Sequence, residues 1–342
     1  MRVPFELCFC ANELLPAARG PRTGTPPIGI FSRSHWPRRL LALAVLTGGV
    51  VRGEDSPVLS IEEIRLPALR IAGERARAHT QGLELVGNDY YVTARREDVR
   101  PQRAFLFRTD PSRADWDAWD ITPLDAQGRV TSLDHPGGMQ SDGTRLWIPL
   151  AESKRNGRSL IRSFPMTNLV SGRRLTPDFE FEVKDHIGAV AVAVERKIIL
   201  GANWDTERVY VWDFQGRLQQ TLTDSQLTER ALGGVAGVEG RRGLAVQDWK
   251  FVGERLIASG LFRTFGAPSG ATESRLLCFT EFLASNFQRQ GVTLPSQKGL
   301  PLAREAMAIS EGAAYFLPED LGAANRMFRI MLPAFMKPGG AR

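Results

Sequence analysis

Beyond residue 54 the chain alternates short apolar runs with polar turns. Runs of four to eight residues, rich in β-branched and aromatic side chains, are separated by Gly, Asp, Asn and Pro, as at 83–85, 87–89 and 90–93. Apolar positions spaced for one face of a helix are nearly absent. This pattern predicts an all-β architecture.

The same unit repeats five times. Each unit has a first strand, a turn and a second strand, and the first strands open 56, 51, 59 and 58 residues apart, at His79, His135, His186, Ala245 and Ala303. A third strand follows in every unit, and fourth strands are expected at 116–121, 179–183, 218–222 and, with a weaker pattern, 292–294. Tandem four-stranded units predict a five-bladed β-propeller.

The fifth unit ends before a clear fourth strand. Residues 58–66 offer a spare strand at the other end of the repeats, so we expect this segment to close the last blade and leave no unpaired edge there. Six blades are the alternative, but a further blade needs about 40 residues, and residues 54–78 provide only 25.

Residues 1–53 are predicted to be a leader. Arg38 and Arg39 precede an apolar run at 40–51, which is shorter than the roughly 20 residues that span a bilayer. Val51 and Gly53 are small residues at −3 and −1 before Glu54, as a signal-peptidase site requires. We therefore expect export to the periplasm or outside the cell, and a single propeller domain of residues 54–342 without a transmembrane segment.

Residues 1–34 fit no signal pattern, and either a disordered leader or a wrongly assigned start site explains them. Cys8 and Cys10 lie in this part, so the mature chain keeps only Cys278 and has no internal disulfide.

Charge excludes one class of partner. The net charge of +6 comes from 44 Lys and Arg against 38 Asp and Glu. Residues 1–53 hold seven Arg, no Lys and two Glu, a net of +5, so the rest of the chain carries 37 − 36 = +1. A domain this balanced has no global field to hold a polyanion, and nucleic acid is not expected as a partner.

All histidines of the mature chain share one position of the repeat. His79, His135 and His186 open the first strand in three consecutive blades. Because this strand lines the central channel of a propeller, the three imidazoles are expected near the axis. Side chains two residues further along each first strand face the same way. These equivalent positions form a second column of residues: Gln81, Gly137, Gly188, Gln247 and Glu305.

Three imidazoles and one carboxylate suit a divalent metal ion. His79, His135, His186 and Glu305 are candidate ligands for Zn²⁺, Mn²⁺, Fe²⁺ or Cu²⁺. Glu305 is equally a candidate general base. Alternatively, the histidines contact an organic ligand without metal, or they only hydrogen-bond within the fold, where Asp134–His135 and Asp185–His186 would form packing pairs.

Other polar and aromatic positions add to this end of the channel. Gln81 and Gln247 are expected to line it, and Trp204 to stack on a sugar or aromatic ligand at its rim. The acidic residues that follow second strands are expected to line the same rim: Glu152, Asp205, Glu319 and Asp320. A column on the opposite face of the first strand, expected between blades, holds Glu84, Gln140 and Lys250.

The repeat over nearly the whole mature chain resembles the β-propeller superfamily. The stretch Asp134-His135-Pro136-Gly137-Gly138-Met139-Gln140 resembles uncharacterised, secreted bacterial propeller proteins, a family without known activity. The fold hosts enzymes, binding modules and scaffolds alike, so it does not select a function.

Two functions stay open. The first is a secreted module that binds a small molecule, a carbohydrate or a protein, with a metal or ligand site in the channel. The second is a metal-dependent hydrolase, similar to a lactonase or phosphoesterase, that uses the histidine ring. No serine-hydrolase or phosphate-loop motif is present. A plugged channel with a charged rim would favour binding, whereas an open metal position would favour catalysis.

Overall fold

The computed structural model describes residues 59–167, 169–233, 242–264 and 272–337, without the side chains of Arg242 and Thr264. The predicted leader, its predicted cleavage site and residue 58 lie outside the described residues. None of the helices in the described ranges is long and apolar enough to cross a membrane.

The strands are numbered in chain order. Three precede the first blade, namely β1 (Ile61–Leu66), β2 (Arg70–Ile71) and β3 (Glu74–Arg75). Blade 1 contains β4 (Ala78–Val86), β5 (Asp89–Arg96), β6 (Arg103–Thr109) and β7 (Asp117–Asp120). Blade 2 contains β8 (His135–Pro136), β9 (Gln140–Ser141), β10 (Arg145–Ala151), β11 (Ser159–Pro165) and β12 (Phe179–Val183). Blade 3 contains β13 (Ile187–Ala193), β14 (Ile198–Asn203), β15 (Arg208–Asp213) and β16 (Leu218–Thr223).

The helix α1 (Asp224–Glu229) follows blade 3. Blade 4 contains β17 (Arg242–Val252), β18 (Arg255–Thr264), β19 (Glu273–Thr280) and β20 (Gln288–Leu294), and a small hairpin of β21 (Ser296–Gln297) and β22 (Leu300–Pro301) follows. Blade 5 contains β23 (Ala306–Ser310), β24 (Ala313–Leu317) and β25 (Asn325–Met331). Short 3₁₀ turns lie at Trp204–Thr206, Leu302–Arg304 and Ala334–Met336.

The five-bladed propeller is confirmed, and so is its closure. Strand β1 pairs antiparallel with β25, with Ile61 opposite Ile330 and Leu66 opposite Asn325, so the N-terminal strand completes blade 5. Five apolar clusters fill the five interfaces between neighbouring blades, including the one between blades 5 and 1. The ring is therefore closed both by strand pairing and by side-chain packing.

Three first strands differ from the sequence prediction, and the simplest case is blade 4, where β17 begins at Arg242, three residues before the predicted Ala245. In blade 2 the strand is split into β8 and β9, because Pro149 on the partner strand has no N–H to continue the ladder. In blade 5 the strand begins at Ala306 instead of Ala303, because Leu302–Arg304 forms a 3₁₀ turn whose Ala303 N–H donates to Ser274 Oγ at 3.1 Å.

Candidate functional site

The three histidines lie together at one end of the channel. His79 is the second residue of β4, His135 is the first of β8, and His186 immediately precedes β13. The ring centroids of His135 and His186 are 5.3 Å apart. The charges of His186 and His79 both act on the pKa of His135, which places all three imidazoles in one electrostatic environment.

His79 is held by the loop after β24. Leu321 and Ala78 exchange two backbone hydrogen bonds of 2.9 and 3.1 Å, which brings Asp320 beside His79. Nδ1 of His79 donates to Oδ1 of Asp320 at 2.7 Å. Burial lowers the pKa of His79, but the Asp320 hydrogen bond and the nearby Glu305 carboxylate outweigh it, so this pKa lies above its usual value. Nε2 of His79 has no hydrogen-bond partner among the described residues, so it can accept a hydrogen bond or, when protonated, donate one.

His135 is held by an arginine from the neighbouring blade. Nη1 of Arg95, on β5, donates to Nδ1 of His135 at 3.3 Å and to Ser153 Oγ at 2.7 Å, while Nη2 donates to Glu97 at 2.7 Å. Burial, His186 and Arg95 lower the pKa of His135 well below its usual value. His135 is therefore neutral, with its proton on Nε2, because Nδ1 accepts from the guanidinium.

His186 is fixed at both its ring and its backbone. Nδ1 donates to the carbonyl oxygen of Glu152 at 2.7 Å, and the ring packs against Trp204 with centroids 4.7 Å apart. The backbone N–H of His186 donates to Asp185 at 2.8 Å, and Asp185 in turn accepts from Tyr210 Oη at 2.8 Å. Burial lowers the pKa of His186. This imidazole is therefore also neutral, but with its proton on Nδ1.

The adjacent aspartates do not pair with the imidazole rings. Asp185 binds the backbone of His186, and Asp134 accepts from Ser153 Oγ at 3.5 Å. The ring of His79, which follows no aspartate in the sequence, forms the carboxylate pair instead.

Glu305 lies beside His79 with little solvent contact. It follows the 3₁₀ turn Leu302–Arg304 and is 7% exposed. Nε of Arg304 lies 3.1 Å from its Oε1. Burial raises the pKa of Glu305 to about 7, while the charge of His79 opposes the shift. A carboxyl with this pKa can take up or release a proton near neutrality.

The column predicted to face the channel coincides with an interruption of the inner strand in every blade. Register shifts leave Gln81, Gly188 and Gln247 out of the ladders of β4, β13 and β17. Gly137 directly follows β8, and Glu305 directly precedes β23. Gln81 and Gln247 are half-buried, and their amides form no hydrogen bond to another described residue.

Trp204 directly follows β14 and packs against His186. It begins the 3₁₀ turn Trp204–Thr206 and is half-buried. The guanidinium carbon of Arg155 lies 5.7 Å from its ring centroid, and Arg155 pairs with Asp205 at 2.6 Å and Glu207 at 2.7 Å. Trp204 is therefore flanked by a charged group, in which Arg155 pairs with two carboxylates.

Deeper along the inner strands, an ion pair fills the channel. Asp248 is fully buried and accepts from the N–H groups of Leu83 in blade 1, at 3.3 Å, and of Met307 in blade 5, at 3.0 Å. Nζ of Lys250 donates to Asp248 at 2.5 Å and to the Met139 carbonyl in blade 2 at 2.6 Å. Burial raises the pKa of Asp248 to about 6, and Lys250 opposes the shift. The pair joins four blades and plugs the channel.

Glu84 and Gln140 extend this plug. Oε1 of Gln140 accepts from the N–H groups of Val192 in blade 3, at 2.8 Å, and Phe251 in blade 4, at 2.9 Å. Oε2 of Glu84 is buried without a hydrogen-bond partner, and burial raises the pKa of Glu84 to about 7 although Lys250 opposes it. These residues lie in the interior and link blades.

Three residues that shape the site were not identified from the sequence as partners of other groups. They are Arg95, Asp248 and Asp320. Asp320 had been predicted only as one of four acidic rim residues. Its pairing with His79 bridges 241 positions of the chain. Arg95 is the next-to-last residue of β5, close to the position where rim residues were expected, and that position was the available signal.

No group of three or more His, Cys, Asp or Glu is placed to hold a metal ion in the parts of the chain that are described. The four predicted ligands share one end of the channel, but His135 faces Arg95 and His79 faces Asp320. The metal site stays a prediction.

Solved structures with similar folds are distant in sequence. The bifunctional GH43-CE protein of Bacteroides eggerthii is 11% identical with a TM-score of 0.47, over 78% of this chain and 34% of that one. The WD40 domain of Toxoplasma gondii coronin is 8% identical with a TM-score of 0.41, over 84% and 90%. The β-propeller domain of the Trilobed protease from Pyrococcus furiosus is 9% identical with a TM-score of 0.33, over 74% and 82%. This chain spans about a third of the Bacteroides protein.

A search among proteins of curated function gave no match. A family described as a family of unknown function, DUF6454, matches residues 75–338, which include all five blades except the closing strand β1. The expected resemblance to a propeller family without known activity is confirmed: the chain belongs to the DUF6454 family.

Proposed function

We propose that this protein binds a small polar molecule, such as a carbohydrate, at the histidine end of its channel. The observation that carries the proposal is the interrupted column, where the amides of Gln81, two residues after His79, and of Gln247 have no partner among the described residues. Half-buried polar groups without protein partners are suited to hydrogen-bond a ligand. The plug around Asp248 supports binding at this end instead of passage through the channel.

Histidine-selective NMR tests the proposal directly. The chain has four histidines, of which three lie at this site, so labelled imidazoles report binding without a known ligand. We expect a binder from a library of sugars, carboxylates, phosphates and amines to shift the ring signals of His135 and His186. In the Gln81→Ala/Gln247→Ala variant the same binder should bind about tenfold more weakly.

Gln127→Ala is the matched control, because Gln127 is an exposed amide in a turn of another loop. The proposal fails if no class of library compound shifts any imidazole signal at millimolar concentration. It also fails if the Gln81→Ala/Gln247→Ala variant binds as tightly as Gln127→Ala.

A metal-dependent hydrolase is the second candidate, and the tautomers of two histidines favour it. Nδ1 of His79 donates to a carboxylate and Nδ1 of His186 to a carbonyl, which leaves both Nε2 atoms as acceptors. Metal-bound histidines are commonly oriented in this way. A metal would polarise a substrate or lower the pKa of its bound water, and Glu305 would hold or transfer a proton beside it.

A measurement of bound metal tests the hydrolase candidate without an activity assay. Purified protein reconstituted with Zn²⁺, Mn²⁺, Fe²⁺ and Cu²⁺ should hold near-stoichiometric metal and lose it in a His79→Ala/His135→Ala/His186→Ala variant that stays folded. Absence of bound metal after reconstitution would remove the hydrolase candidate and leave ligand binding in place.

We further propose that the protein is exported. The basic pair Arg38–Arg39, the apolar run and the small residues before Glu54 support this location. N-terminal sequencing of protein recovered from the periplasm or medium of an expressing bacterium should begin at Glu54. Retention of the full chain in the cytoplasm would contradict export.

A further inference from the structure

A cleft of about 280 Å³ opens beside His79, between blades 5 and 1. It is lined by Arg77, Ala78, His79, Glu97, Asp98, Arg100, Gln102 and Asp320. The cleft therefore adjoins the ligand site proposed above and shares His79 and Asp320 with it.

The carboxylates of the cleft are each paired with a cation. Asp98 accepts from Nε and Nη2 of Arg96 at 2.5 and 3.0 Å, and from the backbone N–H of Arg77 at 3.0 Å. Glu97 accepts from Arg95 at 2.7 Å, and Asp320 accepts from His79 at 2.7 Å. The negative charge in the lining is thus largely neutralised.

Two guanidinium groups in the lining have no such partner. The side chain of Arg77 forms no hydrogen bond or ion pair within the described ranges, and Arg100 donates only to the carbonyl oxygens of Glu97 and Val99, at 2.6 and 2.8 Å. Arginine presents a fork of donors that matches carboxylate and phosphate oxygens. Together with Arg95 and Arg96, which pair with Glu97 and Asp98, the cleft thus has four arginines against three carboxylates.

We propose that the cleft holds the anionic group of a small organic ligand, a carboxylate or a phosphate, on Arg77 and Arg100, with His79 contacting it from the channel side. This inference rests on the proposed ligand site and names the chemistry of its ligand. The remainder of the ligand then extends over His79 towards Glu305 and the channel column.

The test titrates inorganic phosphate and succinate, separately, into histidine-labelled protein. We expect a saturable shift of the His79 ring signal at pH 6 with at least one of the two probes. Whichever probe binds more tightly assigns the anionic group as phosphate or carboxylate.

Arg77→Gln/Arg100→Gln should weaken binding of the probe at least about tenfold, and Arg173→Gln should leave it unchanged. Arg173 is an exposed arginine in a blade 2 loop outside the cleft. Urea unfolding of the three proteins shows whether the double variant is folded. Equal binding by the double variant and the control would overturn the anion site.

The two proposals fail in different ways. If neutral library members shift His135 and His186 but phosphate and succinate leave His79 unchanged at pH 6, the ligand site stands and the anion cleft is wrong. If no library member or probe shifts any imidazole, both proposals are wrong.

Discussion

The buried carboxyl of Glu84 is expected to make the free energy of unfolding fall as pH rises. Its buried carboxyl has a pKa of about 7, against 4.5 in water, and Asp248 and Lys250 are the charges that face it. The folded state keeps the proton that the unfolded chain releases above pH 4.5, so this group lowers the free energy of unfolding as pH rises towards 7. The loss amounts to up to about 3 kcal/mol.

The Glu84→Gln variant should not show this decrease in the free energy of unfolding with rising pH. The difference in the free energy of unfolding between variant and wild type should grow in favour of the variant from pH 5 to pH 8, as measured by urea titration. His135 and His186, whose pKa values are lowered, act in the opposite sense by costing stability below pH 6.5 in both proteins. An unchanged pH slope relative to the exposed Glu254→Gln control would show that Glu84 is not protonated in the fold.

Substitution by alanine at two glycines of the channel column is expected to change the free energy of unfolding by different amounts. A Cβ on Gly137 would clash with the carbonyl oxygen of Gly188 and lie 2.9 Å from Cγ of Pro149, whereas a Cβ on Gly188 meets only the Ala202 carbonyl, at 3.9 Å. Gly137→Ala should therefore cost about 1–3 kcal/mol and Gly188→Ala less than about 0.5 kcal/mol. Urea unfolding measures both, and equal losses would mean that the inner strands do not approach this closely.

At the scale of elements, Leu66 is the most deeply buried side chain of the closing strand. Leu66, the last residue of β1, is 6% exposed and packs in the cluster between blades 5 and 1. Leu66→Ala should lower the free energy of unfolding by about 2–4 kcal/mol. Arg65→Ala, at a side chain that is 88% exposed, should change it by less than about 0.5 kcal/mol. Similar small effects from both variants would show that β1 contributes little to closure.

Most strands were predictable because their signal is local. The alternation of apolar and polar residues located the inner three strands of each blade, and 179–183 coincided with β12. Strand β20 was recognised only at 292–294 because its first residues, Gln288 to Gly291, are exposed and polar on both faces. Where a side chain has no core to face, no periodicity marks the strand.

At the scale of the whole molecule, the buried pair Asp248–Lys250 links four blades by hydrogen bonds. Lys250→Met leaves the Asp248 carboxylate without its cation and should cost about 3–5 kcal/mol. Lys154→Met, at an exposed ion pair with Glu152, should cost less than about 1 kcal/mol. Urea unfolding compares the two. A loss at Lys250 no larger than at Lys154 would show that the plug does not hold the blades together.

The sequence by itself determined the repeat, the blade count, the closing strand and the column of histidines, because strand periodicity and repeat spacing are properties of neighbouring residues. Only the tertiary structure decided what each histidine contacts. Asp320 reaches His79 across 241 residues, and Arg95 reaches His135 from another blade. The same holds for the Asp248 plug, since its donors come from blades 1, 4 and 5. Partners of this kind meet only when the ring closes, and no local pattern in the chain records them.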